Sequence, residues 1–555
     1  MLLNYKTIHF KIDDGHPRIR TITKFDVPGI GLPLNNPDQR EAISMALSKR
    51  FSLIHGPPGT GKTNTAIKLI YLFNNINKDL ERLGQGKKHI VFCGPSNKSV
   101  DVVAVRLFEN RKDNGPKIAR LYGGSLANSD FPIPGKCYPS RKGSSDDKPE
   151  AKLKSLAIHH IIRETGKPYA TAIAEFEKQM EDKKKLKVNL IEEYTLLLSK
   201  STQEELTHYD VIFCTTAMAT NTSIFKMLKN QIFQLIIDEC GMCTEPECLA
   251  TIVSTRAEQV VLIGDHMQLK PIIQCQQAQR LGLEESMFES YYKCQIKGKN
   301  SVQLTTQYRM HESICKFPSK RFYNEKLVTG LSASYLENQP LQIWGHQKET
   351  RHIFCHVEGE EEALTVSSNE GNEMSRSNVV EVKQVMKIFK FLYEREHIFG
   401  DKQTTSKPRC TLNIMSQYKA QCNLITRELE KEGYNGINVN TVNGSQGGEW
   451  DYVIFSLVRS LPQIRIERYP TQGWTTKNLG FITDENQINV ALTRARKGLF
   501  VIGNQNLLRC NRVWNELLDY YSSKGCVFDA KDFPMPIQHK GKKKRHTNSE
   551  EFQFA

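Results

Sequence analysis

Short apolar runs alternate with amphipathic stretches along most of this 555-residue chain. In its first half, each run is followed by a loop that carries Gly or Ser and then by a helical pattern. The predicted strands are Phe51–His55, His89–Cys93, Val211–Cys214, Phe233–Ile237 and Val260–Ile263. Continuous apolar strands are typical of a parallel sheet with helices on both faces. The pattern therefore predicts an α/β lobe.

A second α/β series begins near residue 300, with strands predicted at Val302–Leu304, Ile353–His356, Thr411–Met415, Val453–Leu457 and Leu499–Ile502. We therefore expect two tandem parallel-sheet lobes, residues 34–300 and 301–520. Residues 1–33 contain two short β-like runs before a turn rich in Gly and Pro. Residues 358–376 are expected to form a loop, and residues 521–555 a C-terminal tail that is largely disordered from about 537.

A segment of different composition separates the second and third predicted strands. Residues 123–150 are rich in Gly, Ser, Pro and Asp, which is typical of an exposed loop. Residues 151–206 have a helical, highly charged pattern. We therefore expect a helical insertion in the first lobe, at about residues 123–206, that lies outside the sheet.

The strongest chemical signal is a glycine-rich run between the first predicted strand and a predicted helix. It consists of Gly56, Pro57, Pro58, Gly59, Thr60, Gly61, Lys62 and Thr63. Glycines let backbone N–H groups close around phosphates, and the helix N-terminus adds a favourable dipole. Lys62 is expected to pair with the β- and γ-phosphates of a nucleotide, and the Thr63 hydroxyl to ligate Mg²⁺. A chance glycine-rich turn is the weaker alternative, because the strand–loop–helix context is present.

An acidic pair, Asp238 and Glu239, follows the apolar run that ends at Ile237. In a phosphate-loop enzyme, this position at the end of a buried strand holds Mg²⁺ and activates water. We assign Asp238 to the metal and Glu239 to the attacking water, as general base. An acidic helix N-terminus is the alternative interpretation, and the phosphate loop upstream argues against it.

The net charge and the cysteine content of the chain indicate which kind of partner and which cellular compartment to expect. Lys and Arg number 76 against 61 Asp and Glu, and the formal net charge of +15 suits a polyanionic partner, although solubility alone also explains it. The 14 cysteines are scattered; the one tight group, Cys240, Cys243 and Cys248, lacks a second CxxC or His pair, so no zinc site is expected there. We expect a reduced intracellular protein, cytoplasmic or nuclear, without a membrane partner.

Later runs supply parts that a simple kinase does not need. Gln268 follows the last predicted strand of the first lobe, and Arg309 and Arg494 lie in the second series. Two arginines from one lobe can stabilise charge that develops at the γ-phosphate in the other, and Gln268 can bridge the two lobes there. If the two lobes close on ATP and open after hydrolysis, the reaction is converted into movement of one lobe relative to the other. A surface ion pair is the usual alternative for a lone arginine.

Taken together, these runs resemble superfamily 1 helicases, in family order from about residue 34 to 520. The matching runs are residues 34–39 (LNNPDQ), 56–63 (GPPGTGKT), 94–97 (GPSN), 238–239 (DE), 264–271 (GDHMQLKP), 307–311 (QYRMH), 441–449 (TVNGSQGGE) and 490–495 (VALTRA). The branch is that of the nonsense-mediated-decay helicase, senataxin and the zinc-finger helicases. Residues 238–247 (DECGMCTEPE) are most similar to the zinc-finger helicase group.

The resemblance implies two RecA-like lobes with ATP and Mg²⁺ between them. Gln39 is then expected to read the adenine edge, Tyr308 to pack on the base and Glu449 to contact the ribose. Catalysis would involve Lys62, Asp238, Glu239, Gln268, Arg309 and Arg494. Single-stranded RNA (or DNA) would lie across both lobes, in contact with Pro95, Ser96, Asn97, Thr215, Thr216, Tyr418, Thr441 and Arg459. The direction of travel in this branch would be 5′ to 3′.

The chain departs from the family pattern at three places. Residues 485–488 (ENQI) stand where relatives often carry paired arginines, and Cys240 stands where they usually have Ala. Residues 1–33 fit only a remnant of the branch's β-barrel, so unwinding would need another module, or the chain is part of a longer protein. The leading function is an ATP-dependent RNA helicase. The alternatives are a DNA helicase and an ATP-gated RNA clamp or scaffold with little unwinding.

Overall fold

The computed structural model describes residues 8–10, 18–20, 26–27, 29–111, 115–133, 149–181, 188–294, 300–331, 342–344, 349–368, 371–395 and 410–534. Near the N-terminus, β1 (Ile8–Phe10) and β2 (Arg18–Arg20) form an antiparallel pair. These are the two short strands that the sequence predicted in residues 1–33.

The first lobe is built on a seven-stranded sheet in the order β5-β6-β4-β7-β8-β3-β9, in which every pairing is parallel. Its strands are β3 (Phe51–His55), β4 (His89–Gly94), β5 (Ile118–Arg120), β6 (Val211–Thr215), β7 (Ile232–Ile237), β8 (Gln259–Gly264) and β9 (Ser301–Gln303). The sequence missed β5 and assigned β9 to the second lobe. Because β9 pairs with β3, the first lobe extends past residue 300.

Helices cover both faces of this sheet, as its apolar strands require. Leu53 and Ile54 are adjacent on β3 yet pack into the cores on opposite faces. The helices of this lobe outside the insertion are Pro37–Ser48, Lys62–Arg82, Asn97–Glu109, Thr216–Ala219, Glu245–Thr255, Gln276–Ala278 and Met287–Cys294. Shorter 3-10 and π segments are Lys226–Leu228, Cys240–Met242 and Gln279–Leu283.

The insertion between β5 and β6 is helical, as predicted. It contains the helices Gly124–Asp130, Ile158–Ile161, Ala170–Glu181 and Val188–Leu206 and the 3-10 segment Ala151–Leu156. The predicted loop at 123–150 is therefore wrong in its first part, where Leu126 is buried against Tyr122 and Ala157. The rest of that predicted loop, residues 134–148, lies outside the described residues.

The second lobe opens with a small parallel pair, β10 (Thr306–Gln307) and β11 (Val328–Thr329). Its other strands are β12 (His352–His356), β13 (Glu362–Ser368), β14 (Gly371–Ser377), β15 (Leu412–Ser416), β16 (Asn438–Thr441), β17 (Trp450–Ser456), β18 (Ala495–Gly503) and β19 (Val527–Asp529). Six of them form a parallel sheet in the order β16-β15-β17-β18-β12-β19. The helices are Glu312–Phe322, Val379–Lys390, Lys419–Lys431, Gln472–Leu479, Glu485–Leu492, Gln505–Leu508 and Arg512–Ser523; the 3-10 and π segments are Gln342–Trp344, Phe391–Arg395, Asn443–Ser445, Gln463–Arg465 and Gly480–Thr483.

Two predictions for the second lobe are wrong. Residues 358–376 contain the antiparallel hairpin β13–β14 instead of a loop. The lobe also does not end at 520, because β19 joins the sheet beside β12 and Phe533 is buried in the core. A tail can therefore begin only after residue 534, and the basic cluster Lys542 to Arg545 lies outside the described residues.

The expected architecture of two tandem RecA-like lobes is confirmed. All pairings within each large sheet are parallel, so the carboxyl ends of the strands of each sheet lie at one edge. Ligands of open α/β sheets bind at this edge. The loops that leave β3, β4, β7 and β8 there are the runs that the sequence singled out.

Candidate ATP site and strand-binding surface

The phosphate loop lies where β3 passes into the helix Lys62–Arg82. The backbone N–H of Gly56 donates to the carbonyl oxygen of Gly264, at 2.9 Å, which ties the loop to β8. Gly59 and Gly61 then take left-handed conformations, with φ of 75° and 85°. No side chain caps the helix at Gly61. The first-turn N–H groups and the positive end of the helix dipole are therefore available to an anion.

Two side chains brace this loop from within. The ammonium Nζ of Lys62 donates to the carbonyl oxygen of Gly56 at 2.7 Å. The hydroxyl of Thr60 donates to the carbonyl oxygen of Pro57 at 2.8 Å. The Lys62 charge is thus held over the loop, at the place where the β- and γ-phosphates of a nucleotide bind in such loops.

The predicted base-reading residues stand beside the loop. Gln39 forms a reciprocal capping box with Asn36: the Gln39 N–H donates to Asn36 Oδ1 at 2.8 Å, and the Asn36 N–H to Gln39 Oε1 at 3.2 Å. Gln39 Nε2 donates to the carbonyl oxygen of Thr60 at 3.0 Å. From the second lobe, the hydroxyl of Tyr308 accepts from Asn36 Nδ2 at 3.0 Å. The Tyr308 side chain is exposed, so its ring is open to a base.

Asp238 and Glu239 follow β7 on the other side of the loop. The Glu239 N–H donates to Asp238 Oδ1 at 2.9 Å. Burial and the nearby Glu239 charge raise the pKa of Asp238 to about 7, although Lys62 acts to lower it. Glu239 itself has φ 50°, an uncommon conformation for a residue with a Cβ that often marks a functional site.

Asp265, to which the sequence assigned no role, lies at the centre of the site. Its carboxylate lies 3.0 Å from His55 Nε2 and accepts from Gln268 Nε2 and from the Tyr323 hydroxyl, each at 2.7 Å. Burial acts to raise the pKa of Asp265, but the bonds with His55 and Gln268 outweigh it and hold that pKa well below its usual range.. Its position directly after a buried strand, like that of Asp238, is the signal that could have identified it.

Arg494, a charged residue of the second lobe, joins this hydrogen-bond network through Gln268. Its Nη2 donates to Gln268 Oε1 at 3.0 Å, and its Nε to the carbonyl oxygen of Val490 at 3.0 Å. Burial lowers the pKa of Arg494 to about 9, with Arg309 adding to the shift, so the guanidinium stays charged at neutral pH. Gln268 therefore joins the two lobes, as predicted.

Arg309 lies against Gly59 of the first lobe, but its side chain is held within the second lobe by Glu449. Its Nε donates to Glu449 Oε2 at 2.7 Å, and its Nη1 to the carbonyl oxygen of Thr493 at 3.2 Å. The preceding N–H, of Tyr308, donates to the carbonyl oxygen of Gly59 at 2.8 Å. Burial acts to raise the pKa of Glu449, but Arg309 more than offsets it and lowers that pKa. The predicted contacts of Glu449 with ribose and of Arg309 with phosphate therefore compete with this ion pair.

A cleft of about 1610 Å³ gathers these groups, and both lobes line it. Of the predicted ATP-site residues, it contacts Gln39, Pro57, Pro58, Gly59, Thr60, Gly61, Lys62, Thr63, Asp238, Glu239, Gln268, Tyr308, Arg309, Glu449 and Arg494. The residues present fit ATP: an uncapped helix N-terminus, a lysine and two arginines face a triphosphate. The Thr63 hydroxyl and the Asp238 carboxylate are hard oxygen donors that suit Mg²⁺.

Part of the predicted strand-binding set lines the same cleft: Pro95, Ser96, Asn97 and Thr215. Ser96 is exposed and caps the helix Asn97–Glu109, accepting from the Ser99 N–H at 3.2 Å. Across the cleft, the partly exposed Thr441 accepts from the Gly444 N–H at 3.1 Å. Lys98 spans the gap, because its Nζ donates to the carbonyl oxygen of Gly444 at 2.9 Å. Hydroxyls and N–H groups of both lobes thus lie along one surface.

Three of the residues predicted to contact the strand have buried side chains that are paired within the protein in this structure. Thr216 is fully buried and its hydroxyl donates to Glu247. Arg459 is buried, with Nε donating to Glu361 Oε2 at 2.9 Å and Nη2 to the carbonyl oxygen of Lys477 at 3.1 Å. Tyr418 is buried beside Arg459. Their partners lie far away in the chain, so motif position alone did not reveal the burial.

Comparison with known proteins agrees with this geometry. Two family profiles, each described as an AAA domain, match residues 34–276 and 283–506, one to each lobe. The chain is 38% identical to the 3'-5' exoribonuclease HELZ2 of Mus musculus over 509 residues. The aligned region covers 89% of this chain and 16% of that protein. It is 30% identical to the regulator of nonsense transcripts 1 homolog of Arabidopsis thaliana, over 91% of this chain and 35% of that protein. The chain belongs to the superfamily 1 helicases.

Within that superfamily, this helicase falls in the branch of the nonsense-mediated-decay helicase, senataxin and the zinc-finger helicases. It is also 28% identical to the ATP-dependent helicase NAM7 of Saccharomyces cerevisiae, over 95% of this chain and 47% of that protein. A solved structure of the PRRSV helicase is similar with a TM-score of 0.35 and 13% identity, covering 91% of this chain and 63% of that one. The chain thus spans less than half the length of these curated relatives.

The helicase departs from its relatives at the lobe interface, and the structure shows how. Where they often carry paired arginines, Asn486 donates from Nδ2 to the carbonyl oxygens of His266, at 2.9 Å, and Gln268. Cys240 is fully buried, with its sulfur 3.4 Å from that of Cys248, so a small thiol fills the space of an alanine. In the part of the chain that the structure describes, no helix is both long and apolar enough to span a membrane.

Proposed function

We propose that this chain is an ATP-dependent RNA helicase or translocase that moves 5′ to 3′ along a single strand. The observation that carries the proposal is the 3.0 Å hydrogen bond from Arg494 of the second lobe to Gln268 of the first. It supports the proposal because a buried cation of one lobe meets a glutamine of the other lobe that lines the same cleft as the phosphate loop. A site divided in this way lets nucleotide chemistry change the distance between the lobes.

Each side chain then has a defined task. Lys62 would bind the β- and γ-phosphates, and Thr63 and Asp238 would hold Mg²⁺, which would neutralise phosphate charge. Glu239 accepts the proton of the attacking water. Arg494 and Arg309 stabilise the negative charge that develops on the transferred group. ATP supplies the free energy for the cycle.

Movement follows from where the lobes touch. Arg494 binds Gln268, the Tyr308 N–H binds Gly59, and Lys98 binds Gly444. The first two contacts lie against the nucleotide, whereas the third lies at the surface assigned to the strand. Loss of the γ-phosphate charge removes what the arginines are attracted to, so we expect the lobes to separate and the strand surface of one lobe to shift along the polymer.

RNA is the proposed substrate because of the relatives. Two of these relatives are named as a regulator of nonsense transcripts and an exoribonuclease. The excess of basic residues, with a net charge of +15, favours contacts with the phosphate backbone. Such contacts tolerate sequence changes and weaken as salt concentration rises.

The first test is steady-state ATP hydrolysis with no nucleic acid, with single-stranded RNA, and with DNA of the same sequence, in wild type and Lys62→Ala. We expect RNA to stimulate hydrolysis in the wild type and neither polymer to do so in the variant. Equal stimulation by DNA would remove the RNA preference while leaving the motor. No stimulation by either polymer would refute the motor for this chain.

Strand displacement tests direction and separates motor from clamp. Duplexes with a 5′ or a 3′ single-stranded tail are offered with ATP, and Glu239→Gln is the control that binds ATP without hydrolysing it. We expect displacement of the duplex with the 5′ tail only. Displacement from a 3′ tail would reverse the proposed direction, and ATP hydrolysis without any displacement would favour the RNA clamp.

A further inference from the structure

A second group of convergent side chains lies in the helical insertion, outside the ATP site. Asp130 ends the helix Gly124–Asp130, and His159 and His160 belong to the short helix Ile158–Ile161. The Asp130 Oδ2 atom lies 3.0 Å from His159 Nε2 and 2.9 Å from His160 Nε2. One carboxylate oxygen thus meets the same ring nitrogen of two consecutive histidines.

Consecutive residues on a helix normally point about 100° apart, because a turn holds 3.6 residues. Here the two imidazoles converge instead, with ring centroids 4.4 Å apart. The three candidate ligand atoms lie within 4.8 Å of one another. In a tetrahedral site with metal–ligand bonds of about 2.0–2.2 Å, ligand atoms lie roughly 3.3–3.6 Å apart. The two carboxylate–imidazole distances would therefore need to lengthen by about 0.3–0.7 Å to admit an ion.

We propose that Asp130, His159 and His160 form a binding site for a divalent transition-metal ion, with Zn²⁺ the best match. Imidazole nitrogen and carboxylate oxygen are the ligand types of zinc, and two histidines with one carboxylate leave a fourth position for water.

Arg163 is a cation beside the site. Phe131 lies edge-to-face with both histidines, with centroid distances of 6.1 and 5.0 Å. Arg163 stacks over the same ring, 3.8 Å from its centroid, and its Nε donates to Glu177 Oε1 at 2.7 Å. Its Nη1 donates to the backbone carbonyl oxygen of His159, so the guanidinium is adjacent to the site and Glu177 offsets part of its charge.

The position of the site indicates that a bound ion would stabilise the fold of the insertion. Asp130 and His159 are 29 residues apart in the chain, so an ion on both would close that segment and restrict its freedom. The helix that ends at Asp130 also contributes Ser125 and Ser129 to the large cleft, near Ser96. An ion at Asp130 would hold this wall of the cleft in place.

The test measures Zn²⁺ binding to the whole chain after removal of metals with a chelator, by competition with a chromophoric zinc indicator. Wild type is compared with Asp130→Asn and His160→Ala, and with His208→Ala, which removes an exposed histidine of the same insertion. We expect one tight site in wild type and His208→Ala, weakened by about ten-fold or more in the other two. Zn²⁺ should also raise the melting temperature of wild type but not of His160→Ala.

Co²⁺ in place of Zn²⁺ identifies the ligands. We expect the visible absorption of a tetrahedral nitrogen and oxygen site, absent in His160→Ala. A thiolate charge-transfer band would assign the metal to the buried cysteines around Cys240 and refute the proposal. Equal Zn²⁺ affinity of wild type and His160→Ala would refute it as well, and circular dichroism of each variant shows that the comparison is made between folded proteins.

Discussion

At the scale of single residues, one buried carboxylate supports a strained turn that directly follows β17. Val458 has φ 71°, which is unfavourable for a β-branched residue. Its N–H donates to Glu381 Oε2 at 2.9 Å, and the Ser456 hydroxyl donates to the same oxygen at 2.6 Å. Burial raises the pKa of Glu381 to about 7, although both bonds act to lower it. Folding therefore takes up a proton here near neutral pH.

This shift predicts a pH dependence of stability. Between the ordinary pKa of 4.5 and the folded value near 7, the native state holds a proton that the unfolded chain has lost. The contribution of Glu381 to the unfolding free energy is thus complete below pH 4.5. It decreases as the pH rises towards 7, by on the order of 3 kcal/mol. Glu381→Gln mimics the protonated form, so its unfolding free energy should fall less between pH 5 and 8. Denaturant melts measure this, and the exposed Glu362→Gln should behave as wild type; parallel curves for Glu381→Gln and wild type would contradict it.

A second prediction at this scale concerns the guanidinium of Arg494. It donates to Val490, to Gly448 and to Gln268 at once. A lysine keeps the charge but has no planar fork to make these bonds together. We expect Arg494→Lys to lower kcat for ATP hydrolysis by about 10²–10³-fold with RNA saturating. Arg512→Lys, at an exposed arginine of the second lobe, should leave kcat unchanged; an active Arg494→Lys would mean that charge alone is enough.

At the scale of elements, the phosphate loop depends on a conformation that only glycine adopts easily. Gly61 has φ 85°, and a Cβ built there would lie 2.7 Å from Gln39 Nε2. Gly84, beyond the end of the same helix, has φ 82° and nothing within 4 Å of such a Cβ. The backbone cost of a side chain is therefore alike at both positions, whereas the steric clash is present only at the first.

The two glycines thus form a matched pair of variants. We expect Gly61→Ala and Gly84→Ala each to lose about 1 kcal/mol of stability. Only Gly61→Ala should also weaken ATP binding, by about ten-fold or more, because the Gln39 amide and the loop must move apart. Equilibrium titration with a fluorescent ATP analogue measures the difference. Equal affinities in the two variants would show that the loop tolerates the side chain.

At the scale of the whole molecule, a chain of polar groups joins the lobes behind the ATP site. The Tyr323 hydroxyl of the second lobe donates to Asp265 of the first and accepts from Asn489 Nδ2, each at 2.7 Å. Asn489 Nδ2 also donates to the carbonyl oxygen of Met267 at 2.7 Å. Asp265 in turn binds Gln268, which touches Arg494. Closure of the lobes is therefore connected to Arg494, the arginine that we propose for the γ-phosphate.

This connection predicts that a change at Tyr323 affects the stimulation of ATP hydrolysis by RNA without affecting ATP binding. Tyr323→Phe removes the hydroxyl and leaves the ring, so KM for ATP should stay near the wild-type value. The stimulation of kcat by RNA should fall by about ten-fold, because closure no longer positions Asp265 and Gln268. Tyr434→Phe is the control, since its hydroxyl binds Glu394 within the second lobe. A larger KM with unchanged stimulation would mean that Tyr323 supports the ATP site alone.

The limits of sequence-based prediction show in particular elements. The three-residue β5 is too short to stand out, and β9 lies next to the second lobe in the chain but pairs with β3. The hairpin β13–β14 has its few apolar residues scattered among polar ones, so no apolar run marks it in the sequence. Each of these errors concerns a pairing or a boundary that long-range contacts decide.

The sequence alone specified the ATP site, because the strand, the left-handed glycines and the start of the helix are contiguous in the chain and local geometry dictates their residue types. It also specified the two-lobe order, since apolar runs and motifs recur in sequence. Tertiary structure decided which side chains are free: Thr216, Tyr418 and Arg459 are buried by partners distant in the chain, and Asp265 gains its role only when Tyr323 arrives from the other lobe. Burial and pairing depend on which segments meet in space, and a linear pattern does not contain that information.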